Sequence, residues 1–591
     1  MFDGRIYRAA LVPLLLVVVI VGFSLTGSAT ELQTTLAPDA FDGGRAYSEL
    51  QTLVRRFPNR RPGSAGDEAL AAYVAGYLRE LGGAGGGYAV STHSFRARTA
   101  EGERTLTDVV AVRPGSTGER AIAIVAHRDA VGSGATAELS GTAALLELAR
   151  VFSQSETRRT VILASTSGGS EGYAGAARLG SLQTPVGIDA ALVLGDLAGQ
   201  RARQPFVLPF SGAPATAPAV LERTLRGAIS QEVGTNPGSI DLVSQLAHLA
   251  FPLASAEQTV LGDAGVPAVL LDLGGQRTPG AGEGVSQARL ANFARAALSA
   301  AYALDEGGDV PAPSVKLQLG NRELPAWAIR LLALALLLAP ALVCIDALAR
   351  LRRRREAIAR PLVWALGGST PFLAAALFAA LLGAFGIVPA PSAQLSSVAL
   401  SVDGGALPGL VATLIVMVLS PLAWPVLARG LGLSARPGGD AAGLAAALVL
   451  LACALVVWAL NPFAALLLAP AAHLGLLAAD PRGRVLPLVG LGLALLPLGL
   501  LCLVYSHELG LGPLAFAESV VLLLAGGQVG LLAALLWSLA LGSLLALLAH
   551  VLAPIPIERS QPIEPIEIST RGPLGYAGPG SLGGTKSALR R

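Results

Sequence analysis

Side chains able to ligate a metal ion or carry a proton are scarce and clustered in this chain. Six histidines and three cysteines serve 591 residues. His127 and Asp129 stand one residue apart in Ala126-His127-Arg128-Asp129, and Glu138 follows in Gly134-Ala135-Thr136-Ala137-Glu138-Leu139-Ser140-Gly141. Glu171 lies in Ser170-Glu171-Gly172-Tyr173-Ala174-Gly175, and His248, Glu257 and Asp263 precede Gly265-Val266-Pro267-Ala268-Val269. Imidazole and carboxylate bind divalent cations and serve as acids and bases. Thiolate chemistry is excluded here, because Cys344, Cys453 and Cys502 all lie in or beside long apolar runs. A second group of ionisable residues, led by His473, sits within or at the ends of those runs. Such groups mark function by default in a membrane. No run presents a polar stripe, so a neutral His473 bonded across a helix interface is expected.

The elements that must position these residues fall into two regions. The chain is 53% hydrophobic and 14% charged, where soluble domains carry about 25% charged residues. The deficit is concentrated. Between Pro361 and His550 the only charges are Asp403, Arg429, Arg436, Asp440, Asp480, Arg482, Arg484, Glu508 and Glu518. Candidate spans are Pro325–Ala349, Pro361–Val388, Ala406–Leu427, Ala441–Leu460, Pro462–Ala479, Val485–Tyr505 and Val529–Leu552. Leu11–Thr26, behind Arg5 and Arg8, is read as an uncleaved anchor, with a signal peptide cleaved after Gly27-Ser28-Ala29 as the alternative. Phe516–Gly527 is left over, either re-entrant or an extension of the last span.

Arginines follow the first, third, fifth and last of the seven spans, whereas the loops between hold only Asp403, Glu508 and Glu518. This alternation predicts that the arginine-bearing ends are cytoplasmic and that the large segment before Pro325 is outside. The expected division is an anchor over 1–29, an extracytoplasmic domain over 30–323, a multispan domain over 324–554 and a disordered cytoplasmic tail over 555–591. A net charge of +3 excludes nucleic acid as a partner class. Only two lysines occur, Lys316 and Lys586, and the bias to Arg, Ala and Gly suggests a GC-rich bacterial genome. The expected location is then a bacterial cell membrane.

In the large domain, Ala121–Ala126, Thr160–Ser165, Ala190–Gly195, Phe206–Phe210 and Pro267–Leu273 read as buried strands. Glu138–Phe152, Ala215–Glu232 and Ser286–Leu304 read as helices, as does the stretch from Ser64 to Leu81. Continuous apolar strands alternating with helices predict a largely parallel sheet covered on both faces.

Taken in order, Arg61-Pro62-Gly63-Ser64, Thr107-Asp108-Val109-Val110-Ala111-Val112, the His127–Asp129 segment, Gly134–Gly141, Arg159–Ala164, Ser170–Gly175 and Gly265–Val269 resemble metallopeptidase family twenty-eight. These are the di-zinc aminopeptidases and their carboxypeptidase relatives. The resemblance covers about Ala40 to Leu304 and implies a zinc-exopeptidase-like α/β/α sandwich, here joined to an all-α membrane bundle. It also implies a metal site, and the residues depart from it. His127 matches the first ligand, with Asp129 as its partner, and Asp196 matches the fourth. The bridging aspartate position is Ala137, the Glu-Glu pair of general base and ligand falls on Gly169 and Ser170, and the last histidine falls on Gln258.

Two zinc ions repel unless carboxylates offset their charge, and a catalytic zinc normally has three protein ligands. The expectation is therefore a metal position reduced to His127 and Asp196, no catalytic residue, and no cofactor unless zinc returns to a remodelled site. His127 and Asp196 are expected to persist as a buried, hydrogen-bonded pair. Glu138 is read as a helix first-turn charge, Glu171 as a solvated loop carboxylate, and His248 and His93 as ordinary histidines. Three function classes follow. The first is an inactive peptidase-like protein binding a peptide, lipid-linked group or membrane-protein partner at the bilayer. Its layout is similar to that of the peptidase-like subunit of the eukaryotic GPI transamidase. The others are an active membrane-bound zinc aminopeptidase with relocated ligands, and a transporter with an accessory domain.

Overall fold

The computed structural model describes residues 3–27, 29–99, 101–131, 134–182, 186–388, 406–430, 440–481 and 483–553. Asp403, Arg436, Arg482 and the expected tail lie outside them.

Among the described residues, ten strands form two sheets. A small antiparallel sheet joins β1 (Thr26–Gly27), β10 (Arg322–Pro325) and β9 (Lys316–Leu319), tying the two ends of the α/β domain together beside the membrane helices. The main sheet contains β2 (Ala89–Thr99), β3 (Gly102–Arg113), β4 (Ala121–His127), β5 (Val161–Thr166), β6 (Ile188–Leu194), β7 (Val207–Leu208) and β8 (Ala268–Leu271). Its order is β2-β3-β5-β4-β6-β8-β7. The four central strands are parallel, whereas β2, β3 and β7 run antiparallel at the flanks. The sheet is thus mixed, and its parallel character is confined to the apolar strands read from the sequence.

Burial on both faces explains those unbroken apolar runs. Along β4, Ile122, Ile124 and Ala126 enter one core, and Ala121, Ala123 and Val125 enter the other. The first core is covered by helices α2 (Gly43–Arg56), α3 (Ala65–Leu81), α4 (Ser140–Ser153), α6 (Ala219–Val233) and α9 (Gln287–Glu306), following the anchor helix α1 (Gly4–Phe23). The second is covered by α5 (Ala174–Ser181) and α8 (Glu257–Asp263); α7 (Leu242–Ala250) turns toward the membrane helices. This is the expected α/β/α sandwich. Ser64 caps α3 by accepting from the Asp67 N–H at 3.3 Å, so the turn that precedes the helix was legible as a start signal.

Among the described residues, six helices are long and apolar enough to cross a membrane: α1, Ala326–Arg353, Ala441–Leu460, Pro462–Ala479, Val485–Glu508 and Leu531–Leu552. Ala359–Gly367 and Thr370–Ala384, bent by 46° at Gly368, count as one more if taken as a broken span. Helix Ala406–Gly430 occupies the remaining expected position. Phe516–Gly527 does not lengthen the last span; it falls largely in a separate apolar helix, Pro513–Ala525, too short to count among the spans, which leaves the re-entrant alternative. The span from Val485 is interrupted at Leu495, ahead of Pro497, which divides it into Val485–Ala494 and Leu496–Glu508.

Candidate functional site

The parallel strands deliver the site. His127 ends β4, Gly169 and Ser170 follow β5, Asp196 follows β6, and Asp272 follows β8. The cleft outside the carboxyl ends of a parallel sheet is where α/β folds bind ligands. All five residues line one cavity of about 90 Å³, together with Glu138, Glu257, Arg277 and others.

At its centre, His127 lies over Gly169. A Cβ on Gly169 would fall 2.2 Å from the His127 Cβ, so no side chain fits at residue 169 with the imidazole where it is. The His127 Nδ1 lies 3.1 Å from the Asp129 carbonyl. The Asp129 carboxylate points to the β5 loop, accepting from the N–H groups of Gly169 (2.9 Å) and Ser170 (2.8 Å) and from the Ser170 hydroxyl. Burial works against a charge on His127, but nearby Asp129, Glu257 and Glu138 outweigh it and raise its pKa above the ordinary value. Arg128, between His127 and Asp129, leaves in the opposite direction and forms a buried ion pair with Asp67 at 2.9 Å.

Asp196 and His127 share the cavity but no hydrogen bond joins them. The Asp196 Oδ1 accepts from Ala198 (2.9 Å) and Gly199 (2.7 Å), while its buried Oδ2 has no partner. The expected His–Asp pair is therefore not formed, because the backbone after β6 turns its N–H groups onto the carboxylate. Burial pushes the Asp196 carboxyl up to about 6. Asp272 accepts from the Asp196 N–H at 2.9 Å, and burial, reinforced by the Asp196 carboxylate, raises it well above the ordinary range.

Glu138 stands in a helical first turn, as read, but away from solvent. It is buried, its Oε2 accepting from the Ala135 N–H at 3.0 Å and lying 3.4 Å from Arg60, and burial pushes it up to about 7. Arg60, only 1% exposed, also donates to the Ala135 carbonyl at 2.8 Å. Gly134, with φ +64°, lets the chain pass over this guanidinium; a Cβ there would sit 2.5 Å from it. Glu171 is buried rather than solvated, because the turn closed by Gly168 and Gly172 draws it inward, and it is not among the cavity-lining residues. Gln258 is fully buried and neither polar atom of its side chain has a partner. Its neighbour Glu257 lines the cavity and accepts from the Thr166 hydroxyl. Among the described residues, no three His, Cys, Asp or Glu side chains are grouped as a metal site.

A match to a family model decides what this arrangement resembles. Residues 108–241 match peptidase family M28. No curated protein matches the chain. Among solved structures, the Legionella pneumophila LapA aminopeptidase is 14% identical, with a TM-score of 0.37 over 47% of this chain and 78% of that one. BSAP, a zinc aminopeptidase from Bacillus subtilis, is 11% identical, with a TM-score of 0.37 over 46% and 98%. The Fimbriiglobus ruber glutaminyl cyclase is 16% identical, with a TM-score of 0.33 over 44% and 95%.

The M28-like domain holds two participants that sequence reasoning missed. Arg60 precedes the quoted motif, and nothing in its spacing announces that it turns inward to Glu138. His248, read as an ordinary surface or interior histidine, is interior and lies where the M28-like domain meets the membrane helices. It stacks on Phe210 at 3.8 Å, and its Nε2 lies 2.7 Å from the Glu508 carboxylate. That contact joins residues 260 apart in sequence and has no local signal. His473 fits its sequence reading: Nε2 lies 2.9 Å from the Leu336 carbonyl and Nδ1 lies 2.7 Å from the Tyr7 hydroxyl, the pattern of a neutral imidazole that donates once and accepts once.

Proposed function

We propose that this is a membrane-anchored, peptidase-like protein that does not hydrolyse peptides, and whose cleft binds a peptide, a lipid-linked group or a protein partner outside the cytoplasm. The reading rests on one observation above all. The general-base position is Gly169, and the space a side chain would need there is filled by His127. A carboxylate at that position is what would take a proton from an attacking water. The residues present do not fit a pair of zinc ions either. Ala137 offers no oxygen at the bridging position, and Glu138 beside it is already held by Arg60 and the Ala135 N–H. The buried Arg60 guanidinium supplies positive charge behind Glu138, which lines the cavity.

A second reading, an active zinc aminopeptidase with relocated ligands, is favoured by the shared cavity of His127, Glu138, Asp196, Glu257 and Asp272. It requires those side chains to leave the partners they now have. Metal analysis of the full chain, purified in detergent, separates the two. We expect well under one equivalent of zinc and no hydrolysis of aminoacyl reporter amides. Gly169→Glu alone should not create activity, since the new side chain meets His127. Stoichiometric zinc with chelator-sensitive hydrolysis would overturn the proposal.

For location, we propose a bacterial cell membrane with the M28-like domain outside. Supporting this, the helix ends that lack arginine, at Asn461 and Glu508, contact that domain, whereas Arg350 pairs with Asp3 at 3.4 Å at the other end of the bundle.

A further inference from the structure

The cleft is not bounded by the M28-like domain alone. Leu509, the first residue beyond the span Val485–Glu508, is one of the residues lining its cavity. The turn that carries it is fastened at several points. Arg203 bonds the His507 carbonyl, and its guanidinium lies 2.7 Å from the His507 Nε2. Glu508 meets His248 at 2.7 Å, and the Tyr505 hydroxyl donates to the Phe251 carbonyl. Gly510, with φ +66°, lies against the side chain of Arg277, which itself lines the cavity; a Cβ there would fall 2.9 Å from the Arg277 Cγ. An apolar cluster holds Tyr505, Leu509 and Leu511 against Val131 and Ala247 of the M28-like domain.

Hinges flank this segment. The helix is broken at Leu495, ahead of Pro497, and Gly510 and Gly512 follow Glu508. The half-helix Leu496–Glu508 is thus a discrete body between two places where the backbone can turn. At about 90 Å³ the cavity is well below the roughly 300–1,000 Å³ of ordinary ligand pockets, so a ligand of ordinary size needs a wall to move.

We propose that the half-helix Leu496–Glu508 and the turn through Leu511 form a strap that completes the cleft from the membrane side, with Leu509 as the wall a ligand meets and the His248–Glu508 contact as its latch. Admission of a ligand displaces the strap and so moves the outer half of a membrane span. This deepens the reading of the cleft as a binding site, but its test uses no ligand or metal, so the two fail separately.

The experiment places a thiol in the cavity wall. Cys344, Cys453 and Cys502 are replaced by alanine, and Ser255, a buried residue of the cavity wall, becomes the reporter as Ser255→Cys in the full chain in detergent. Its labelling rate with a maleimide is then compared across variants. Glu508→Ala releases the latch and Leu509→Ala removes the wall; each is expected to speed labelling at least tenfold. Leu509→Ala leaves the latch intact and carries the test if Glu508→Ala does not fold. Arg98→Ala removes a different contact between the domains, Arg98 to the Gly383 carbonyl at 3.2 Å, and should leave the rate unchanged. Fast labelling in the parent, unchanged rates in both strap variants, or an equal rise with Arg98→Ala would each overturn the strap.

Discussion

At the scale of single residues, the cleft is a collection of carboxyl groups held by backbone N–H groups, hydroxyls and guanidinium. The H-x-D spacing was legible because alternation along β4 sends His127 and Arg128 to opposite sides. What replaced the missing side chains was not legible, since Arg60 reaches Glu138 across 78 residues. Burial has a measurable consequence beside this site. Asp108, on β3, accepts from the Ser167 N–H at 3.0 Å, and its other oxygen has no partner. Burial pushes its carboxyl up to about 7 from 3.8. Between those values the folded state holds a proton that the unfolded state has released, so stability falls as pH rises. The contribution is fully present below about pH 4 and is lost through about pH 7. Asp108→Asn cannot ionise. Its melting temperature relative to the parent should therefore rise by about 3 °C or more between pH 5 and pH 8. Thermal unfolding at the two pH values checks this; a difference that stays flat would mean Asp108 is charged at both.

At the scale of elements, the central strands and the membrane helices were legible for the same reason: each is apolar all round because each is buried or lipid-facing all round. The antiparallel hairpin β2–β3 was not, because β2 alternates between exposed and half-buried positions, β3 opens on exposed residues, and the two carry Arg96, Arg98, Glu103 and Arg104. Strand β7 shrank to two residues where Phe206–Phe210 read as a strand, since Pro205 and Pro209 flank it and cannot donate to a ladder. Helix α1 is the element whose fate matters most. It packs on Ala326–Arg353 and is pinned at Tyr7 by His473 and at Asp3 by Arg350, and β1 beyond it pairs with β10. Cleavage near Ala29 would remove all of these contacts. We expect the membrane-bound protein to retain the anchor, so that intact-mass measurement of the purified chain gives about 59.9 kDa. A species shorter by the first 29 residues would show that the segment acts as a signal peptide.

At the scale of the whole molecule, charge at the two ends of the bundle and contact with the M28-like domain point the same way. Positive residues cluster where spans end away from that domain, as with Arg350, Arg352 and Arg353 closing the helix Ala326–Arg353. The ends at Asn461 and Glu508 carry no arginine and are instead tied to the domain, Asn461 donating to the Leu249 carbonyl at 2.8 Å and Glu508 meeting His248. These are independent facts: loop charge was visible in the sequence, whereas the docking of α7 onto the span ends was not. Their agreement fixes a strong expectation. Moving arginine-rich loops across the bilayer is opposed during insertion, so the domain fastened to the other ends is expected to be exported. A fluorescent protein fused after Arg591 should therefore be fluorescent in intact cells. In a chain freed of native cysteines, Ser64→Cys, near the surface of the M28-like domain, should react with an impermeant maleimide added outside. A dark carboxy-terminal fusion, or a Ser64→Cys thiol that reacts only after lysis, would invert the molecule, and the cleft would then face the cytoplasm with its strap on the inner leaflet side.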